Sequence, residues 1–163
     1  MKQIHNENRG YRILFPLVTW MFRHSYRHII YIGTENIPQD GAVIFAPNHT
    51  NALQDALAVL SINSERKVFV ARADIFRNKK LAKFLSFCKI MPFCILPEGT
   101  HRTKHSLLPL GKGIFRITIR ANEKFGKEKP IYIVPVGLEY SDWFHLGDTL
   151  VINIGKPINM TEF

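Results

Sequence analysis

The feature that most limits the fold of this chain is a series of short apolar runs that alternate with segments of helical periodicity. The apolar runs predict strands, and the segments between them predict helices at residues 52–63, 78–87 and 113–122. This alternation favours an α/β fold, a single-domain sandwich with a largely parallel central sheet flanked by helices. The predicted strands are residues 29–32, 42–46, 67–71, 131–137 and 150–154, and a further strand is expected to end at Leu96.

The bulk composition is that of one ordinary folded domain with a basic surface. The chain has 163 residues, of which 46% are hydrophobic, and it contains no internal repeat or low-complexity linker. Lys and Arg total 22 against 13 acidic residues, a net charge of +9. This charge favours anionic partners: phosphorylated small molecules, anionic lipids, acyl carriers or nucleic acid. Cys88 and Cys94 are the two cysteines, and they are typical of buried, reduced thiols in a cytosolic setting.

The first 28 residues form a basic and aromatic segment that we separate from the domain at residues 29–163. Residues 11–22 are apolar apart from Arg12 and Thr19, and arginines and histidines flank them. No segment reaches the ~20 apolar residues that span a bilayer, and no small-residue cleavage site follows. The segment predicts an interfacial anchor helix on anionic lipid. A helix packed on the domain, with its basic flank in water, is the alternative.

An imidazole and a carboxylate stand close to the predicted start of the second helix. His49 follows the strand at residues 42–46, and Asp55 lies six positions later, inside the helix. Asn51 is expected to cap this helix, with Gln54 as a partial capping box. If the entry loop curls back over the first helical turn, Asp55 can orient His49, which is the arrangement of a general base and its partner.

A second group of residues gives this pair a chemical context. It is Leu96-Pro97-Glu98-Gly99-Thr100-His101-Arg102, and together with the run at residues 48–55 it resembles the glycerolipid acyltransferase family. These enzymes acylate glycerol 3-phosphate and lysophosphatidic acid. The resemblance spans about residues 30–160 in the order of the family, with further matching segments at residues 69–76, 89–92, 107–113, 134–138 and 154–158.

The resemblance implies a reaction and a role for each matching residue. His49 would act as general base and Asp55 as its orienter, with no covalent enzyme intermediate. Acyl carrier protein or coenzyme A would supply the acyl group as a thioester, without any other cofactor or a metal. The acceptor would be lysophosphatidic acid or glycerol 3-phosphate, at the cytoplasmic face of a membrane to which the protein binds peripherally. The implied acceptor-binding residues are Glu98, Gly99, Thr100 and Arg102, with Arg72 and Lys112 as further phosphate ligands.

The chain departs from the family pattern in three places. Five residues separate His49 from Asp55, where four are commonest, and His101 stands where many relatives have Arg. Only four residues separate Pro92 from Pro97, too few for a parallel crossover, so the chain is expected to be shortened there. The shortening keeps an alternative open, a catalytically weak relative that binds lipid phosphate or a membrane surface. Nucleic-acid binding has no recognised motif to support it.

Overall fold

The computed structural model describes residues 9–49, 51–63, 69–71, 77, 80, 83, 90–92, 112–126, 128–142 and 147–162. Within these ranges the α-helices are α1 (Arg9–His24), α2 (Ala52–Ser61) and α3 (Gly113–Phe125). The strands are β1 (His28–Ile32), β2 (Ala42–Pro47), β3 (Phe69–Ala71), β4 (Ile90–Pro92), β5 (Ile131–Tyr140), β6 (Thr149–Ile154) and β7 (Ile158–Asn159). The predicted helix at residues 78–87 lies mostly outside the described residues.

The strands form one five-stranded open sheet and a separate pair. The order in the large sheet is β1-β6-β5-β2, and β7 also pairs with β5. The pairs β1–β6 and β2–β5 are parallel, whereas β5–β6 and β5–β7 are antiparallel. The small sheet is the parallel pair β3–β4. The architecture is therefore mixed α/β.

The prediction of a largely parallel sheet is not confirmed, because two of the four pairings in the five-stranded sheet are antiparallel. Only residues 141–148 connect β5 to β6, and a parallel crossover needs a dozen or more residues. The two strands therefore pair antiparallel, with Tyr140 opposite Leu150 and Val136 opposite Ile154. This pairing also extends β5 beyond the predicted end at residue 137, because each added residue gains a cross-strand partner.

The alternation of side chains along β5 divides the core between the two faces of the large sheet. On the first face, the even-numbered residues of β5 pack with β6 beneath α1 and α2: Val134, Val136, Leu138, Tyr140, Leu150, Ile152 and Ile154. On the second face, Ile131 and Ile133 pack with Ile114 of α3 and with Met160. Burial of these apolar side chains, at about 25 cal/mol per Å², is the main contribution that holds the layers together.

Helix α1 packs on the domain and also keeps an apolar outer side. Phe22 is 3% exposed and belongs to the first-face core, and Arg23 donates from Nη2 to the carbonyl of Ser61 at 3.0 Å. Four large apolar side chains of α1 remain exposed to between 50% and 73%: Ile13, Leu17, Trp20 and Met21. Among the described residues, no helix is long and apolar enough to cross a membrane.

Candidate active site

The loop that carries His49 is held against β5 by the residue before it. Asn48 donates its backbone N–H to the carbonyl of Val136 at 3.1 Å, as if β2 continued by one residue. Its side-chain amide then pairs with the backbone of Leu138 in both directions, Nδ2 to the carbonyl at 3.0 Å and Oδ1 from the N–H at 2.7 Å. Three hydrogen bonds therefore fix the point at which the chain leaves the sheet toward His49.

Asp55 is a buried carboxylate that accepts hydrogen bonds from three directions. Its side chain is only 2% exposed. Oδ2 accepts from the backbone N–H of Asn51 at 2.8 Å and from Nδ1 of His49 at 2.9 Å, and Oδ1 accepts from the hydroxyl of Tyr140 at 2.7 Å. A buried carboxylate is costly unless such donors satisfy it. The donors make this position suited to a negative charge.

The contact between His49 and Asp55 fixes the chemistry of the imidazole. An ionised carboxylate only accepts, so Nδ1 is the ring nitrogen that carries the hydrogen, and Nε2 is the basic nitrogen of the neutral ring. The side chain of His49 is 13% exposed, more than that of Asp55. The ring thus lies between the buried carboxylate and the surface, the geometry in which a histidine can take a proton from a hydroxyl group.

The start of α2 differs from its predicted cap. Asn51 occupies the N-cap position, but its side chain makes no capping hydrogen bond. In a capping box the backbone N–H of Asn51 would be satisfied by Gln54, but it is bonded instead to Asp55. The Oε1 atom of Gln54 is buried and has no hydrogen-bond partner among the described residues. The carboxylate of Asp55 accepts this N–H more strongly than an amide oxygen would, because the bond is charge-assisted. The first turn of α2 is thereby built around Asp55.

Aromatic rings connect the carboxylate to α1. The ring of Tyr140 lies 6.3 Å from that of Tyr26, which lies 5.1 Å from that of Phe22, centroid to centroid. Burial, together with the negative charge of Asp55, raises the pKa of Tyr26 to about 12. Burial and the same carboxylate also raise the pKa of Tyr140 above its ordinary value, so its hydroxyl keeps the proton that it donates.

Sequence reasoning anticipated the contact between His49 and Asp55 but missed Tyr140 and the role of Asn48. Tyr140 lies 85 positions from Asp55 in the chain. The signal for it is its place on the same face of β5 as Val134, Val136 and Leu138, which becomes visible only when β5 is known to continue past residue 137.

The residues predicted to bind the acceptor fall mostly on parts of the chain that are not described. Arg72, Glu98, Gly99, Thr100 and Arg102 lie outside the described residues, as does the short connection after Pro92. Lys112 is described: it is exposed and immediately precedes α3. The structure therefore leaves the acceptor-binding assignments as predictions. Within the described ranges, no group of three or more His, Cys, Asp or Glu residues has the arrangement of a metal site.

Comparison with known proteins identifies a fold. The chain is similar to the crystal structure of the 1-acyl-sn-glycerophosphate (LPA) acyltransferase, PlsC, from Thermotoga maritima, with a TM-score of 0.67 at 16% sequence identity. The alignment covers 98% of this chain and 75% of that one. No protein-family model and no curated protein sequence matches the chain. At this level of identity the similarity establishes a shared mixed α/β fold, with one open sheet and helices.

Proposed function

We propose that this protein is an O-acyltransferase that moves a fatty acyl group from a thioester donor to a hydroxyl of a glycerophosphate acceptor. The observation that carries the proposal is the pair of His49 and Asp55, joined at 2.9 Å, with the carboxylate buried and bonded to two further donors. The fold shared with a solved lysophosphatidic acid acyltransferase supports the same reaction class, as does the second sequence group at residues 96–102.

In this reaction His49 acts on the acceptor and Asp55 acts on His49. Nε2 takes the proton of the acceptor hydroxyl as its oxygen attacks the carbonyl carbon of the thioester. Asp55 holds the Nδ1–H tautomer and stabilises the imidazolium that forms. The new C–O bond forms, the C–S bond breaks, and the proton on Nε2 passes to the departing thiolate. The products are an ester and a free thiol, and no enzyme ester is formed.

The acceptor's phosphate is assigned to cations near the second sequence group. We assign the glycerol part to Glu98, Gly99 and Thr100, and the phosphate to Arg102, whose planar guanidinium suits two phosphate oxygens at once. Arg72 and Lys112 are further phosphate ligands in this proposal. The donor is acyl carrier protein or coenzyme A, and the step needs no metal or other cofactor. The acceptors are lysophosphatidic acid and glycerol 3-phosphate, so the pathway served is phospholipid synthesis.

A lipid acceptor places the protein on a membrane surface, and α1 is the element suited to that contact. Its exposed apolar residues include Trp20, at 57%, and its last turn carries Arg23 and His24. Apolar and aromatic groups enter the interface, while cations meet anionic headgroups. We propose peripheral binding at the cytoplasmic face.

The test is transfer of a labelled acyl group from each donor to each acceptor in the presence of liposomes. His49→Ala is expected to lower turnover by at least about 10²- to 10⁴-fold, the usual contribution of a general base. His28→Ala, which changes an exposed histidine of β1, is the matched control and is expected to retain wild-type turnover. Both variants should stay folded and keep their liposome binding, and His49→Ala is expected to melt at a lower temperature than His28→Ala because Asp55 loses one of its donors.

Two results would reject the assignment. Wild-type turnover in a folded His49→Ala variant would remove His49 from the mechanism. Folded wild-type protein that transfers no acyl group with any donor and acceptor, yet still binds liposomes, would identify a binding protein without this activity.

A further inference from the structure

The outer face of α3 carries two large apolar side chains where a surface helix ordinarily has polar ones. Phe115 is 41% exposed and Ile119 is 48% exposed. They stand four positions apart, so they are neighbours on one side of the helix. Ile114 and Thr118, at 3% and 0%, point the other way and anchor the helix to the sheet. The apolar pair therefore does not contribute to the core.

Three cations adjoin this apolar pair. Lys112, Arg116 and Arg120 are exposed, and their spacing of four residues places them in a row beside Phe115 and Ile119. Lys124 continues this row, and exposed Glu123 lies one turn after Ile119, so the face is most basic at the end that begins with Lys112. Within the part of the chain that the structure describes, no carboxylate forms an ion pair with any of the three. We call the set of Lys112, Phe115, Arg116, Ile119 and Arg120 the α3 outer face. Such a face favours a partner that is both acidic and partly apolar.

The α3 outer face begins at the same end of the sheet as His49. At the opposite end, Phe125 lines a cavity of about 360 Å³ together with Ala42 and Ile131, the first residues of β2 and β5. From this end of the sheet, β2 runs toward His49. Helix α3 runs beside β2 in the opposite direction and has a similar length, roughly 18 Å. The first turn of α3, with Lys112 and Phe115, is thereby brought toward the end where β2 leads into His49.

The position of α3 argues against a membrane as the occupant of its outer face. Helix α1 covers the first face of the large sheet and α3 covers the second face. Their outward sides therefore point in opposite directions, and one flat bilayer cannot receive both. If α1 holds the protein on the membrane, the α3 outer face is turned toward solution.

We propose that the α3 outer face docks the acidic carrier protein that delivers the acyl thioester to His49. This inference rests on the proposed acyl transfer and selects one of its two donor classes. Acidic side chains of the carrier would pair with Arg116 and Arg120, and an apolar patch on the carrier would cover Phe115 and Ile119. Lys112, at the end of the face nearest His49, keeps the role of acceptor-phosphate ligand proposed above. A coenzyme A thioester offers phosphates to the cations, but no protein surface to cover the apolar pair. The net charge of +9 would also speed encounter with an acidic partner.

The test compares two donors in variants that reverse one charge. Arg116→Glu is expected to lower kcat/KM with an acyl carrier protein donor by about 10-fold at low salt, and by less at high salt, because exposed charges are screened. With an acyl coenzyme A donor the same variant should stay within about twofold of wild type. Lys129→Glu is the matched control, since Lys129 is an exposed cation beyond the end of α3, beside the cavity at the opposite end of the sheet from His49. Phe115→Ser should reproduce the selective loss without its salt dependence.

Three outcomes would overturn the proposal. They are an equal loss with both donors, unchanged kinetics with the carrier donor in folded Arg116→Glu, and loss of liposome binding in that variant. Failure of this docking proposal can also be distinguished from failure of the proposed reaction. If wild-type protein transfers no acyl group, titration of fluorescent acyl carrier protein with wild type and Arg116→Glu still measures docking directly, and equal affinities would reject the α3 outer face as its site.

Discussion

Strand β5 contributes side chains to both faces of the large sheet, yet the two faces bury side chains of different polarity. Ile131 and Ile133 of β5 face α3 in a small apolar cluster, with the open cavity of about 360 Å³ beside it. Farther along the same strand, Tyr140 faces the larger core under α1 and α2 and donates its hydroxyl to buried Asp55. The second face buries an apolar cluster, whereas the first face combines an apolar core with a charged site.

The difference shows what it takes to bury a charge next to an apolar core. Asp55 is held by a backbone N–H, a histidine and a tyrosine, which belong to the loop before α2 and to β5. Fully packed neighbours such as Leu150 and Ile152, both 0% exposed, limit how those donors can move. Rigid surroundings of this kind are what a catalytic pair requires, because small displacements weaken its hydrogen bonds.

The largest effect is expected from a variant that removes the buried negative charge from the first face. Asp55→Asn keeps the shape but supplies an amide that can donate to His49 and favour its other tautomer. We expect turnover to fall by about 10²- to 10⁴-fold, since wrong-tautomer variants of hydrolytic triads lose activity on this scale. Steady-state kinetics with the active donor and acceptor measure it. Turnover within a few-fold of wild type, in a variant with a normal melting curve, would show that Asp55 does not orient a base.

Core truncations on the two faces sharpen the comparison in terms of stability. Leu150→Ala, on the first face, leaves an enclosed cavity and is expected to lower the free energy of unfolding by about 3 to 4 kcal/mol. Ile131→Ala, on the second face, enlarges a cavity that is already open, so a loss nearer about 2 kcal/mol is expected. Urea unfolding of both variants gives the two values. An Ile131→Ala variant that loses more stability than Leu150→Ala would reverse the proposed ranking of the faces.

Removal of one hydrogen bond from the first face is expected to have a more moderate effect. Tyr140→Phe leaves Oδ1 of Asp55 without its buried donor, a cost of about 1 to 3 kcal/mol. Part of this cost should appear as a roughly 10-fold fall in kcat, with little change in KM, because Tyr140 acts through Asp55. Tyr26→Phe is the control, since it removes a hydroxyl from the neighbouring ring. Equal kinetics for the two variants would assign Tyr140 a purely structural role.

The sequence predicted the elements of the first face better than their arrangement. The apolar runs located β2 and β6 to within one or two residues, because a buried strand has a strong local pattern. The direction of β6 was missed, since it depends on the length of the connection at residues 141–148 and not on the strand itself. The contact of His49 with Asp55 could be predicted from the sequence because the two residues belong to one loop and the helix that follows it. The contact of Tyr140 with Asp55 could not be predicted in this way, because only strand pairing brings Tyr140 close to Asp55.

The smallest expected effect is a pH dependence of stability that belongs to the first face. The pKa of Tyr26 is about 12 in the folded protein, raised by burial and by the charge of Asp55 from an ordinary value of 10.0. As the pH rises, the unfolded chain therefore loses this proton first. The stability due to the neutral tyrosine is present in full below about pH 10 and is lost as the pH rises through about 12.

Urea midpoints measured between about pH 8 and pH 11 should accordingly fall less steeply for Tyr26→Phe than for wild type. Tyr31→Phe is the comparison variant, because it removes a hydroxyl that donates to Ser61 instead of one near Asp55. Parallel curves for wild type and Tyr26→Phe would mean that water reaches Tyr26 freely in the folded state. The aromatic contacts from Phe22 to Tyr140 would then not exclude water from the carboxylate on the side of α1. The burial of Asp55 would in that case come from α2 and β5 alone.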